Sequence, residues 1–136
     1  MSRHSEERRM KPLVAAVAVL VALGSGVVAQ PQENLTPAQV GQVAEWRARA
    51  EQGDALSQFM LGGVYLEGFG VPKDVEEATL WYRQAAAQGH ARAQNQLGFM
   101  YSTGLGVPLN EREAVRWYWL AAEQGFATAQ LNLGAM

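Results

Sequence analysis

The chain has 136 residues, a formal net charge of −2, no cysteine and two histidines. This length fits one small domain and leaves no room for a second. The near-neutral charge, with no Lys/Arg cluster beyond residue 11, excludes the basic footprint of a nucleic-acid-binding protein. The lack of cysteine excludes disulfides, so the fold has to be stabilised by packing alone.

The first 29 residues have the pattern of an export signal. Arg8 and Arg9 lie in a basic start, an apolar run follows over 13–23, and small residues lead to Ala29. This order predicts a signal peptide, residues 1–29, that is cleaved after Ala29. The alternative is an uncleaved membrane anchor, because the uncharged stretch is close to the shortest length that spans a bilayer. Either way the positive end stays in the cytoplasm, so we expect the rest to be periplasmic or secreted, or anchored in the inner membrane facing the periplasm.

Two short segments precede the main body of the chain. Residues 30–36 are predicted to be a linker, and residues 37–53 are predicted to be a helix that caps the N-terminal end of the fold. Thr36 and Gln39 have the spacing of a capping box, and Pro37 stands at the first helical position. The sequence therefore predicts a well-defined helix start at this point.

The remainder of the chain consists of repeated units of 36 residues. Units 54–89 and 90–125 are identical at nearly half of their aligned positions, and residues 126–136 begin a third copy that contains only its first helix. The identical positions include Ala55/Ala91, Leu61/Leu97, Gly62/Gly98, Tyr65/Tyr101, Gly68/Gly104, Gly70/Gly106, Trp81/Trp117 and Tyr82/Tyr118. Self-similarity at such a period is the signature of a repeat architecture.

Each unit predicts two helices, which we call the first-type and the second-type helix. In the first unit, apolar residues over 54–67 are close to helical spacing, and Gly68 ends the first-type helix in a left-handed conformation. Asp74 caps the second-type helix, with Glu77 at the spacing of a capping box, and the second unit has the same arrangement. The glycines and the proline between the helices are therefore interpreted as the turn of a helical hairpin.

The second-type helix is predicted to bury one stripe of side chains, formed by Ala78, Trp81, Tyr82, Ala85 and Ala86. The alanines permit close approach of a neighbouring helix, and the Trp-Tyr pair fills the space beside them. If Trp81 or its counterpart in the second unit is a core residue, replacing it by Ala is expected to cost ~3–5 kcal/mol.

Point by point, these residues resemble the Sel1-like repeat, a member of the tetratricopeptide-like helical repeat superfamily. The matching positions in the first unit are Leu61, Gly62, Tyr65, Gly68, Gly70, Val71, Asp74, Ala78, Trp81, Tyr82, Ala85, Ala86 and Gly89. The resemblance covers about 54 to 134 and has Asn110 in place of the acid in the second unit. It implies an all-α fold, a right-handed α/α superhelix (solenoid) of Sel1-like helical hairpins, used as an interaction scaffold.

No catalytic, cofactor-binding or metal-binding residue is predicted, and the chain is predicted not to be an enzyme. His90 is the only histidine beyond the leader, and it occupies the position held by Asp54 and Phe126 in the other copies. We interpret it as a linker residue at a tolerant position. No Cys/His cluster has the spacing of a metal site.

Candidate partner-binding residues are those that differ between the copies on one face of the first-type helix. Positions i, i+4 and i+7 share a helix face, and such differences are typical of a recognition surface, although free drift of surface positions would also produce them. Trp119 on the second-type helix is a further candidate, since the fold does not require an aromatic there; packing against the final helix is the alternative. The candidates are Leu56, Met60, Arg92, Gln96, Phe99 and Trp119.

These observations favour a non-catalytic protein- or peptide-binding scaffold or adaptor that acts outside the cytoplasm. One alternative is a self-associating structural component of the cell envelope, with the C-terminal helix 126–136 as the contact. Another follows from the resemblance alone, since some disulfide-bridged relatives bind or hydrolyse β-lactams; this chain has none of their cysteines. The expected partner is a protein or peptide, with no nucleic acid, and with membrane contact only if the leader is retained.

Overall fold

A computed structural model describes residues 35–136, so the predicted signal segment and most of the predicted linker lie outside the described residues. Within this range the chain forms helices and no strand. The helices are α1 (Pro37–Glu51), α2 (Ala55–Glu67), α3 (Val75–Ala87), α4 (Ala91–Thr103), α5 (Glu111–Glu123) and α6 (Ala127–Gly134). Each helix packs mainly on the helices before and after it in the chain. The predicted all-α repeat superhelix is confirmed.

The turn between α2 and α3 depends on two glycines with positive φ angles. Gly68 has φ 71° and ends α2, and Gly70 has φ 77°. The N–H of Phe69 donates to the carbonyl of Val64 at 2.9 Å, which closes the end of α2. Left-handed backbone of this kind favours glycine because a Cβ atom would be strained there. The turn predicted from these glycines is confirmed, and the second unit repeats it.

The helix caps agree with the sequence in part. The capping box at α1 is confirmed, since Thr36 and Gln39 exchange hydrogen bonds of 2.8 and 3.2 Å. At α3 only half of the predicted box forms. Asp74 Oδ1 accepts the N–H of Glu77 at 3.0 Å, but the N–H of Asp74 donates to the carbonyl of Tyr65 at 2.9 Å. The hairpin turn brings the end of α2 over the start of α3, so a tertiary contact replaces the local one.

The core of each hairpin is a tyrosine ring packed on a glycine. Tyr82 is fully buried, and a Cβ atom placed on Gly62 would lie 2.8 Å from its Cδ1 and Cε1 atoms. The predicted burial of Trp81 is wrong in degree, since Trp81 is only partly buried. Neighbouring residues on a helix point about 100° apart. Only Tyr82 therefore enters the space left by the missing side chain of Gly62, which we call the glycine notch. Replacing Trp81 by Ala is therefore expected to cost less than replacing Tyr82.

A glutamine in each first-type helix forms a hydrogen bond to a backbone carbonyl of the preceding unit. Gln94 is buried, and its Nε2 donates to the carbonyl of Ala86 at 3.2 Å, while its Oε1 accepts from Gln124 Nε2 at 2.8 Å. Buried polar groups are stabilising only when paired in this way. The same bonds recur one unit earlier, from Gln58 Nε2 to the carbonyl of Ala50 at 3.1 Å and from Gln88 Nε2 to Gln58 Oε1 at 2.7 Å.

Along residues 35–136, none of the helices combines the length and the hydropathy needed to cross a bilayer.

Candidate interaction surfaces

The five candidates on the first-type helices do not form one continuous exposed surface. Leu56 and Phe99 are 58% and 43% exposed, and Arg92 is exposed as well. Met60 and Gln96 are each only 8% exposed, because α2 and α4 are packed between helices on both sides. Of these five candidates, only Leu56, Arg92 and Phe99 are therefore exposed.

The apolar character of two of these exposed positions is not required by the fold. Leu56 and Phe99 have small or polar equivalents at the same position of the repeat in the other copies. The equivalents are Arg92 and Thr128 for Leu56, and Gly63 and Ala135 for Phe99. Because the fold does not need a large apolar side chain at either position, Leu56 and Phe99 remain candidate contact residues.

Trp119 lies on a different surface, the side of α5 that faces the C-terminal end of the stack of helices. Its equivalents are Arg47 and Arg83, and both reach the tyrosine at the end of the next first-type helix. The guanidinium of Arg47 lies 5.6 Å from the ring centroid of Tyr65, and Arg83 Nη2 donates to the hydroxyl of Tyr101 at 2.9 Å. Trp119 is 55% exposed, so packing against α6 does not bury it. The structure therefore separates Trp119 from the other candidates.

His90 is more than the linker residue that was predicted. It is the N-cap of α4, and its Nδ1 accepts the N–H of Ala93 at 3.2 Å while its ring stacks on Phe59 with centroids 4.9 Å apart. Burial lowers the pKa of His90, nearby Arg92 lowers it further, and Asp54 opposes both. The acceptor role requires the neutral ring. The signal that was missed is that Asp54, a typical cap residue, holds the same position one unit earlier.

Within the described part of the chain, no group of three or more His, Asp or Glu side chains is placed to hold a metal ion. The exposed candidates on the first-type helices are two apolar side chains, Leu56 and Phe99, and one guanidinium group, that of Arg92. Such groups support binding to another polypeptide.

The comparisons with known proteins bear on this surface. The Sel1 repeat family model matches residues 55–90 and 91–126, which is more than half of the chain. The chain belongs to the Sel1 repeat family. Sel1 repeats typically act as scaffolds for protein–protein interaction and are generally non-enzymatic.

Solved structures of other Sel1 repeat proteins are similar to this chain. A Sel1 repeat protein from Oxalobacter formigenes is 40% identical, with a TM-score of 0.65, over 69% of this chain and 71% of that one. A protective antigen of uropathogenic Escherichia coli with an SLR fold is 39% identical, with a TM-score of 0.67, over 76% of this chain but only 21% of its own length.

A third solved structure shares the fold at lower identity. Cysteine-rich protein B of Helicobacter pylori is 22% identical with a TM-score of 0.65, and the match covers 90% of each chain. None of the curated proteins compared with the sequence matches it. The similarities therefore establish the Sel1 repeat fold of this chain.

Proposed function

We propose that this Sel1 repeat protein is a non-catalytic scaffold that binds a protein or peptide outside the cytoplasm. The observation that carries the proposal is the exposure of Leu56 and Phe99 at positions where the other copies have polar or small residues. Because the helices form without apolar side chains there, these two side chains are available for contact with another molecule.

The exposed residues indicate the chemistry of the partner. Leu56 and Phe99 offer apolar area, and Arg92 offers a guanidinium that pairs with carboxylates. A complementary partner would bring apolar side chains to the first two and an acidic group to the third. Aromatic and arginine side chains are the types that most often dominate such interfaces.

The test is crosslinking in the native host followed by mass spectrometry, with variants that borrow residues from the sister units. Leu56→Arg combined with Phe99→Ala is expected to abolish a crosslink that the unchanged protein forms, while the fold is retained. The matched control is Leu80→Arg, because Leu80 is 51% exposed on α3 and its equivalent in the second unit is Arg116. Loss of the same crosslink in the control, or its survival in the double variant, would contradict the proposed surface.

The location outside the cytoplasm is proposed from the pattern of residues 1–29, which lie outside the described residues. Fractionation of a bacterial host, with mass measurement of the recovered protein, tests it. Cleavage after Ala29 predicts an N-terminus at Gln30, and an anchor predicts the full mass in the membrane fraction. Recovery of the full-length chain from the cytoplasm would contradict export.

A further inference from the structure

His90 lies at the junction of the two complete units, between the two helices that carry the proposed surface. It is the N-cap of α4, and its ring stacks on Phe59 of α2 with centroids 4.9 Å apart. Leu56 stands about one turn before Phe59 in α2, and Arg92 stands in the first turn of α4. The imidazole ring therefore contacts both of the helices on which a partner is proposed to bind.

The hydrogen bond at this cap depends on the protonation state of the ring. His90 Nδ1 accepts the N–H of Ala93 at 3.2 Å, so the proton of the neutral ring is on Nε2. The imidazolium form has a proton on both nitrogens and has no acceptor. Uptake of a proton by His90 therefore breaks the side-chain cap of α4.

A carboxylate of the preceding unit is placed to attract the protonated ring. Asp54, the N-cap of α2, attracts the imidazolium charge of His90, whereas Arg92 repels it. Asp54 Oδ2 accepts from both the N–H and the hydroxyl of Ser57, which leaves Oδ1 as the acceptor for a ring nitrogen. Arg49, near the end of α1, acts on the same carboxylate. The charges around the ring thus draw its protonated form away from α4 and towards α2.

We propose that His90 is a pH-dependent switch between α4 and α2. The neutral ring caps α4 at Ala93, and the protonated ring leaves that N–H and pairs with the carboxylate of Asp54. Leu56 and Arg92 lie two positions after Asp54 and His90, so the switch acts on the starts of the helices that carry the proposed surface. The switch itself is independent of the proposed function, and only its effect on partner binding rests on that function.

The equivalent positions of the other first-type helices supply matched variants. His90→Asp installs the residue of α2, and hydrogen bonds from the side chain and backbone of Ser57 lower the pKa of Asp54 there, so an aspartate cap stays ionised between pH 7.5 and 5. His90→Phe installs the residue of α6, where Phe126 forms no side-chain cap. The first variant is expected to keep the cap of α4 across this pH range, and the second to lack it throughout.

The test is amide hydrogen exchange by NMR on the full chain between pH 7.5 and 5. The protection factor of the Ala93 amide, corrected for the intrinsic exchange rate at each pH, is expected to fall about fivefold as His90 titrates, as loss of a helix cap does. The Ser57 amide, which Asp54 caps, is the internal control and is expected to keep its protection. In His90→Asp the Ala93 amide is expected to behave as Ser57 does.

Nuclear Overhauser contacts of the ring protons test the second half of the switch. These contacts are expected to move from the Ala93 amide to the β protons of Asp54 as the pH falls. Constant protection of Ala93 down to pH 5, or a protonated ring that keeps its contacts with α4, would overturn the inference. None of these measurements uses a partner, so failure of the switch is distinguishable from failure of the proposed surface, which crosslinking tests.

Discussion

The N-cap residues of the first-type helices differ in how much their side chains stabilise the start of the helix. The N-cap of the first-type helix is Asp54 in α2, His90 in α4 and Phe126 in α6. Asp54 Oδ2 accepts the N–H of Ser57 at 2.9 Å and His90 Nδ1 accepts that of Ala93 at 3.2 Å, but Phe126 forms no such bond. A side-chain cap typically stabilises a helix by ~1 kcal/mol, so the three helices start with unequal support.

His90 makes the stability of the protein depend on pH near neutrality. Its folded-state pKa is lowered below the ordinary value of 6.5, so the unfolded chain binds more protons as the pH falls below 6.5. The contribution of His90 is therefore fully present above pH 6.5 and is lost as the pH falls through the folded-state pKa. Urea unfolding between pH 7.5 and 5 is expected to show this loss.

His90→Asn is the control for this prediction, because the Asn side chain can accept the same N–H and does not titrate in this range. The variant loses the stacking on Phe59, so it is expected to be less stable at pH 7.5. The difference between the two proteins is expected to shrink as the pH falls. A difference that stays constant between pH 7.5 and 5 would show that the ring is not held in its neutral form.

At the scale of helices, the two helices of each hairpin pack through a glycine, the smallest residue, that faces a tyrosine, one of the largest. Gly62 and Gly98 are buried helical residues that face Tyr82 and Tyr118, and a glycine in a helix costs ~0.5–1 kcal/mol relative to alanine. That cost is offset because the missing side chain lets the tyrosine ring lie directly on the backbone of the first-type helix.

Replacing glycine by alanine is expected to have different effects on stability at two equivalent positions, Gly62 and Gly134. Gly62→Ala places a Cβ atom 2.8 Å from the Cδ1 and Cε1 atoms of Tyr82 and is expected to cost ~1–3 kcal/mol, as overpacking of a core does. Gly134→Ala meets nothing within 4 Å and is expected to be neutral or slightly stabilising. Chemical denaturation of both variants checks this, and equal losses would contradict the notch geometry.

At the scale of the whole molecule, contacts are local along the stack. Each helix packs mainly on its neighbours in the chain, and the glutamine bonds join adjacent units. The stability of such an array is close to a sum of terms from each unit and from each interface between units. Opening of one end is therefore expected without loss of structure at the other.

Hydrogen exchange on a Gly98→Ala variant tests this expectation. The substitution weakens the packing of α4 on α5, because the new Cβ atom would lie 2.7 Å from Tyr118. Amide protection is expected to fall over α4 to α6 and to change less over α1 and α2. A uniform fall of protection across all six helices would show that the array unfolds as one cooperative unit.

Part of the candidate surface was predictable from the sequence and part was not. Comparison of the two units pointed to Leu56, Arg92 and Phe99, and these side chains are exposed. The same comparison also selected Met60 and Gln96, which are buried. Differences between copies show where side chains are free to change, but exposure depends on the helices that pack on both sides.

The sequence by itself determined the local features of this protein: the 36-residue period, the helices, the glycine turns such as Gly68, and the cap at Thr36. These features depend on residues within a few positions of one another, where backbone conformation and local hydrogen bonds decide the structure. Only the tertiary structure decided that Tyr82 rather than Trp81 enters the glycine notch, and that His90 caps a helix while stacked on Phe59. Those outcomes depend on contacts between residues far apart in the chain, and the direction of each side chain follows from the packing of whole helices.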